Sequence, residues 1–195
     1  MLGLKSETSP IWAEIVLEDL ETFLTDHAYN EIKAAQSAMA VINYRSNETE
    51  FVHTMNALAI EEMQHFEMVY NWIQKLDLKL GQESQNIYAM QLRKFLPKTK
   101  DLEEKFLQKL LLSSLMEARS CERFETLIPV LDQQNAELAK FYKDLFESEA
   151  RHYRTFLEYA RKFGGKKRID EIWQNLLIYE GELIRNLGQK PLVHG

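Results

Sequence analysis

The chain has 195 residues, a formal net charge of −6, seven Gly, four Pro and a single Cys. That length suffices for one domain, residues 1–195, with its own core, and the acidic balance argues against wholesale nucleic-acid binding while leaving room for a local basic patch. One cysteine excludes an internal disulfide, a Cys-only zinc site and an in-chain iron–sulfur cluster. With no long apolar run and no signal-peptide core in MLGLKSETSP, the expectation is a cytoplasmic protein without a membrane segment.

Glu, Lys, Leu, Ala and Gln dominate, which favours an all-α chain. The first periodic segment, 14–43, reads Leu17, Leu20, Leu24, His27, Glu31, Ala34, Ala38, Val41 at steps of three and four. The second, 48–77, follows a capping-box pattern of Asn47 and Glu50 and reads Phe51, Met55, Leu58, Glu62, His65, Val69, Trp72, Leu76. The third, 101–127, comes after Pro97 with Thr99 or Asp101 as its cap and reads Phe106, Leu110, Ser113, Glu117, Ser120, Phe124, Leu127. The fourth, 133–163, reads Leu138, Tyr142, Leu145, Glu149, His152, Phe156, Tyr159, Phe163, with Gly164 and Gly165 as its stop. Residues 169–187, with Ile172, Leu176, Tyr179 and Leu183 on one face, form a C-terminal helix.

Short connections join helices one to two and three to four, whereas about two dozen residues separate two from three. Short hairpins flanking one long crossover are the ferritin-like four-helix topology, here with an added C-terminal helix. The two hairpins also repeat one another, since NEIKAAQ and MEARSCE align on Glu31 and Glu117, and the seams of helices two and four are interrupted at the same places by Glu62 and His65 and by Glu149 and His152.

Four carboxylates in one core need positive charge, and no Lys or Arg occupies these seam positions. Two divalent ions supply it, with Glu31, Glu62, His65, Glu117, Glu149 and His152 as ligands. One Glu from each of two helices plus Glu-x-x-His from each of the other two is the di-iron or di-manganese carboxylate pattern. Glu50 and His53 share the Glu-x-x-His spacing but fall off the seam, so they read as solvated. Glu61 aligns with Ser148 rather than with a ligand, which places it beside the site or on the surface. Asp26, His27 and Asp144 are candidates to orient the ligands, and Ala34, Ala35, Ala38, Ser113, Ser120 and Cys121 leave room for a pocket or simply pack helices closely.

The segments DHAYNEIKAA (26–35), EEMQHFE (61–67), MEARSCERFETL (116–127) and LAKFYKDLFESEARHYRTFL (138–157) resemble those of the tRNA-(2-methylthio-N6-isopentenyladenosine) hydroxylases, the MiaE family. The likeness covers about residues 12–163. It implies a non-haem di-iron monooxygenase that uses O2 and external electrons to hydroxylate the isopentenyl group of a modified adenosine next to the anticodon, with the same six ligands.

For tRNA, three basic groups fall at one end of the expected bundle: Arg45; Arg93, Lys94, Lys98 and Lys100 of the crossover; and Arg161, Lys162, Lys166, Lys167 and Arg168. The same cations also suit solvated helix ends. With one Cys and no Gly-rich nucleotide fingerprint, electrons must come from a ferredoxin-type or flavin reductase partner. The oligomeric state is left open, a monomer included. A di-iron oxidase or peroxidase of the rubrerythrin type and an iron-storage protein are the competing readings; a Cys-rich iron module would be expected in the former and a cage-forming oligomer in the latter.

Overall fold

A computed structural model describes residues 2–195 and is all-helical: α1 Pro10–Glu18, α2 Leu20–Ile42, α3 Thr49–Lys75, α4 Ile87–Phe95, α5 Leu102–Gln134, α6 Ala136–Gly164 and α7 Lys166–Asn186. The long helices α2, α3, α5 and α6 form the bundle, with α2 packed most extensively on α3 and α5 on α6. The segment between α3 and α5 runs the length of the bundle, as the ferritin-like topology requires.

Several expected boundaries move for local reasons. The first segment is broken at Asp19, whose non-helical backbone (φ −140°, ψ 67°) ends α1 and whose side chain accepts a hydrogen bond from Thr22 N at 3.1 Å to start α2. The Asn47–Glu50 box does not form, because α3 starts from Glu48 without a side-chain cap. Asp101, rather than Thr99, caps α5 through Glu104 N at 3.1 Å. That helix continues through Pro129 to Gln134, where burial of Leu131 and the Asn135 N to Leu131 O bond of 2.7 Å hold the last turn. The crossover contains α4, seated by buried Tyr88 and Leu92. Gly165, at φ +81°, is the single residue between α6 and α7.

Two apolar clusters fill the bundle. One gathers Phe51, Met55, Leu58, Phe106, Leu110 and Phe156, and the other Phe23, Leu24, Val69, Phe124, Tyr142 and Leu145. Every long helix passes through both, and its polar seam residues lie between them. The charged layer is therefore walled from water at both ends by apolar packing.

Candidate metal centre

Glu62 and His65 on α3, and Glu149 and His152 on α6, are three residues apart and so share a helix face. Glu31 arrives from α2 and Glu117 from α5, and none of the six is more than 6% exposed.

The imidazoles meet the carboxylates through their Nδ1 atoms. His65 Nδ1 lies 3.2 Å from Glu62 Oε2, 3.2 Å from Glu149 Oε1 and 3.6 Å from Glu31 Oε2. His152 Nδ1 lies 2.9 Å from Glu62 Oε1 and 3.4 Å from Glu149 Oε2. Glu62 and Glu149 thus each turn one oxygen to each imidazole, in the manner of carboxylates shared by two centres. Ligand atoms of Glu31, Glu62, His65 and Glu149 all fall within 4.8 Å of one another. Glu117 faces the Glu149 carboxylate.

Protonation reflects this crowding. Burial opposes ionisation of Glu31, but hydrogen bonds from His27 and His65 prevail and lower its pKa to about 2. Burial likewise opposes Glu149, and the two imidazoles hold it low. Burial and the Glu149 charge push Glu62 up to about 8 and Glu117 well above the usual range. Burial works against the His152 cation, yet Glu149 and Glu62 raise its pKa to about 12, and the same balance raises His65. Glu62 Oε1, Glu149 Oε1 and His152 Nδ1 are nevertheless buried with no hydrogen bond of acceptable geometry. Close but undirected oxygen and nitrogen atoms suit lone pairs aimed at shared cations.

Neighbours hold these side chains in place. Ser148 Oγ lies 3.2 Å from His65 Nε2, and Glu61 Oε2 lies 3.1 Å from His152 Nε2. These two positions, equivalent in the repeat, do the same work on the imidazole of the facing helix, which turns each Nδ1 inward. The sequence alignment of Glu61 with Ser148 carried this signal, but it was legible only as a difference in chemistry. His27 bridges Tyr142 Oη at 2.9 Å and Glu31 Oε1 at 2.6 Å.

Asp26 hydrogen-bonds to neither His65 nor His152. Its oxygens accept from Asn30, Ser84 and Val193 N, which ties the crossover and the C-terminal tail to α2. Asp144 is 64% exposed in its side chain and pairs with Lys140, four residues before it, so it takes no part in the site. Lys33, aligned with Arg119 in the repeat, pairs with Glu83 at 2.9 Å, whereas Arg119 is fully buried.

A cavity of about 760 Å³ opens between α2, α5, the crossover and the tail. Glu31, Glu117 and Glu149 lie in its wall, together with Ala34, Ser113 and Ser120. Ala35, Ala38 and Cys121 instead pack in the interior. The basic residues divide. Arg45 pairs with Glu103, Arg161 and Lys166 with Asp170, Lys162 with Glu50, and Arg168 with Glu104. Among the described residues, Arg93, Lys94, Lys98, Lys100 and Lys167 make no ion pair and are exposed.

Two Glu-x-x-His helices facing two Glu-bearing helices across a buried polar layer define a ferritin-like carboxylate bundle. Residues 2–195 match the family described as tRNA-(MS[2]IO[6]A)-hydroxylase (MiaE), and the chain belongs to that family. It is 35% identical over 96% of its length, and 89% of the relative's, to the tRNA 2-(methylsulfanyl)-N(6)-isopentenyladenosine(37) hydroxylase of Pseudomonas putida. The like-named Salmonella typhimurium protein is 32% identical over 60% of this chain and 42% of its own. A solved structure, a Synechococcus protein with aldehyde deformylating oxygenase activity, superposes with a TM-score of 0.85 at 27% identity, covering 98% of this chain and 95% of that one.

Proposed function

We propose that the protein is an O2-dependent di-iron monooxygenase that hydroxylates the isopentenyl group of 2-methylthio-N6-isopentenyladenosine next to the anticodon of tRNA. The observation that carries this reading is the convergence of all six Glu and His side chains in a chain that matches the hydroxylase family from residue 2 to residue 195.

Charge balance supports two divalent ions. Without metal, Glu31 and Glu149 are anionic, Glu62 and Glu117 hold protons, and both imidazoles are cationic, so the cluster is neutral. With every carboxylate ionised and both imidazoles neutral, two divalent cations restore the same neutrality. Glu31, Glu62, His65, Glu117, Glu149 and His152 would hold the two ions. Carboxylate-rich ligation with one imidazole per ion suits iron better than zinc or copper.

A reduced iron pair bound there supplies activation of O2 and an oxidant able to attack an unactivated C–H bond. Hydroxylation places one oxygen atom in the alcohol and the other in water, and consumes two electrons and two protons. The electrons come from an external ferredoxin-type or flavin reductase, since Cys121 is buried and alone. The chain's own residues orient and shield: Ser148 and Glu61 fix the imidazoles, His27 fixes Glu31, and the two apolar clusters close the polar layer at its two ends. Among the described residues no helix is long and apolar enough to cross a membrane; the enzyme acts on tRNA in the cytoplasm.

The test is mass spectrometry of nucleosides from tRNA lacking the hydroxyl group, after incubation with iron-loaded protein, reductant and O2. We expect a hydroxylated isopentenyl nucleoside. Iron-loaded protein that leaves the nucleoside unchanged would move the reading to an oxidase or storage role.

A further inference from the structure

The crossover and α5 bring four features together on one side of the bundle. The cavity of about 760 Å³ is within the range of pockets that enclose a small molecule. Its wall changes character along its depth. Ala34 and Met116 lie within three residues of Glu31 and Glu117, while Arg93 and Lys109 are exposed side chains of the same wall. Lys109 is eight residues before Glu117, about 12 Å along the helix at ~1.5 Å per residue, comparable with the span of a nucleotide bearing a short substituent on its base. Gln108 Nε2 donates to Pro97 O at 2.9 Å, which ties the end of the crossover to the turn of α5 that carries Lys109.

Pairing distinguishes the crossover group from the other two basic groups. Of the six cations made up of Arg45 and the 161–168 group, five are taken up by Glu50, Glu103, Glu104 and Asp170. Arg93, Lys94, Lys98, Lys100 and Lys109 are exposed and free of ion pairs among the described residues. On a chain of net charge −6, such a patch is a local attractor for phosphate.

We propose that RNA docks on the face made by α4, residues 96–100 and the outer side of α5, with Arg93 and Lys109 gripping phosphates at the cavity mouth while one splayed-out loop nucleotide enters base-first. The inference rests on the tRNA hydroxylase reading and, of the three basic groups at the bundle end, keeps the crossover group and joins Lys109 to it. Single-stranded loops offer bases that can be extruded into pockets, and cations at the rim position the backbone without reading sequence.

The test is binding of an anticodon stem-loop RNA carrying N6-isopentenyladenosine to the iron-loaded protein under argon, by fluorescence anisotropy across a salt series. The paired variant Arg93→Gln with Lys109→Gln is expected to bind about tenfold or more weakly, and its log-affinity against log-salt slope to flatten by about 1.4, at ~0.7 per lost contact. Lys166→Gln with Arg168→Gln is expected to stay within about twofold. Thermal midpoints and iron content report folding, and the exposure of all four side chains makes loss of fold separable from loss of contact. Equal weakening in both pairs, or weakening only in the second, would overturn the docking face and leave the hydroxylase reading standing. Failure of the unaltered protein to bind the RNA at all would overturn both.

Discussion

Removing Glu180 from beneath Arg119 is expected to cost the protein about 3–4 kcal/mol. Arg119 is fully buried and clasped by Glu180, with Nε to Oε1 at 2.7 Å and Nη2 to Oε2 at 2.9 Å. Its Nη1 donates to Glu122 Oε2 at 2.6 Å and its Nη2 to Ser6 O at 3.1 Å, while Tyr88 Oη donates to Glu180 Oε1 at 2.9 Å. Breaking a buried pair from one side costs ~3–5 kcal/mol. Here Glu122 still faces the guanidinium, which favours the lower end, and the orphaned Tyr88 hydroxyl adds ~1 kcal/mol. For a chain of this size that loss lowers the melting temperature by roughly 6–16 °C, at ~2–4 °C per kcal/mol. Urea unfolding of Glu180→Leu, followed by circular dichroism at fixed metal content, reads the value. The double variant Arg119→Met with Glu180→Leu is expected to recover part of it, because both charges then leave together. A single-variant loss under about 1 kcal/mol would refute the view that this cluster anchors the fold. On the proposed function activity should follow, since Tyr88 also stacks at 5.2 Å on His194 of the cavity wall, so a slackened α4 should weaken RNA-substrate affinity more than it slows chemistry.

Glu61→Gln and Ser148→Ala should each weaken metal binding by about 10–100-fold without unfolding the bundle, as measured by competition with a chelator. Glu117→Ala should abolish the paired centre and hydroxylation together, and full activity in that variant would break the ligand assignment. Metal should displace on the order of four protons per pair, so apparent affinity rises with pH, and titration calorimetry in buffers of different ionisation enthalpy counts them. Metal-free protein should lose stability as pH falls from about 4.5 towards about 2: Glu31 has a lowered folded pKa, so its contribution is present above the ordinary value and lost below it.

The seams exposed the site because charged residues interrupt an otherwise apolar 3–4 rhythm at equivalent places in both hairpins. Position along a helix therefore sufficed to name all six converging side chains. What surrounds them depends on which helix faces which, and periodicity does not encode that. Asp144 lies two turns from His152 in sequence but points to solvent, whereas Glu61 reaches His152 from another helix. The nine-residue α4 was not legible because so short a segment is marginal alone and is held by burial of Tyr88 and Leu92. Which basic residues stay unpaired was not legible for a similar reason: Glu103, Glu104 and Asp170 approach Arg45, Arg168 and Arg161 from other helices, or from across the α6–α7 break.

The most direct test of the di-iron centre is iron analysis with Mössbauer spectroscopy on protein loaded anaerobically, alongside Glu117→Ala. We expect about two irons per chain behaving as one coupled pair, reduced to an uncoupled ion or none in the variant. A single uncoupled iron in the unaltered protein, or no iron at all, would contradict the reading of Glu31, Glu62, His65, Glu117, Glu149 and His152 as one metal centre.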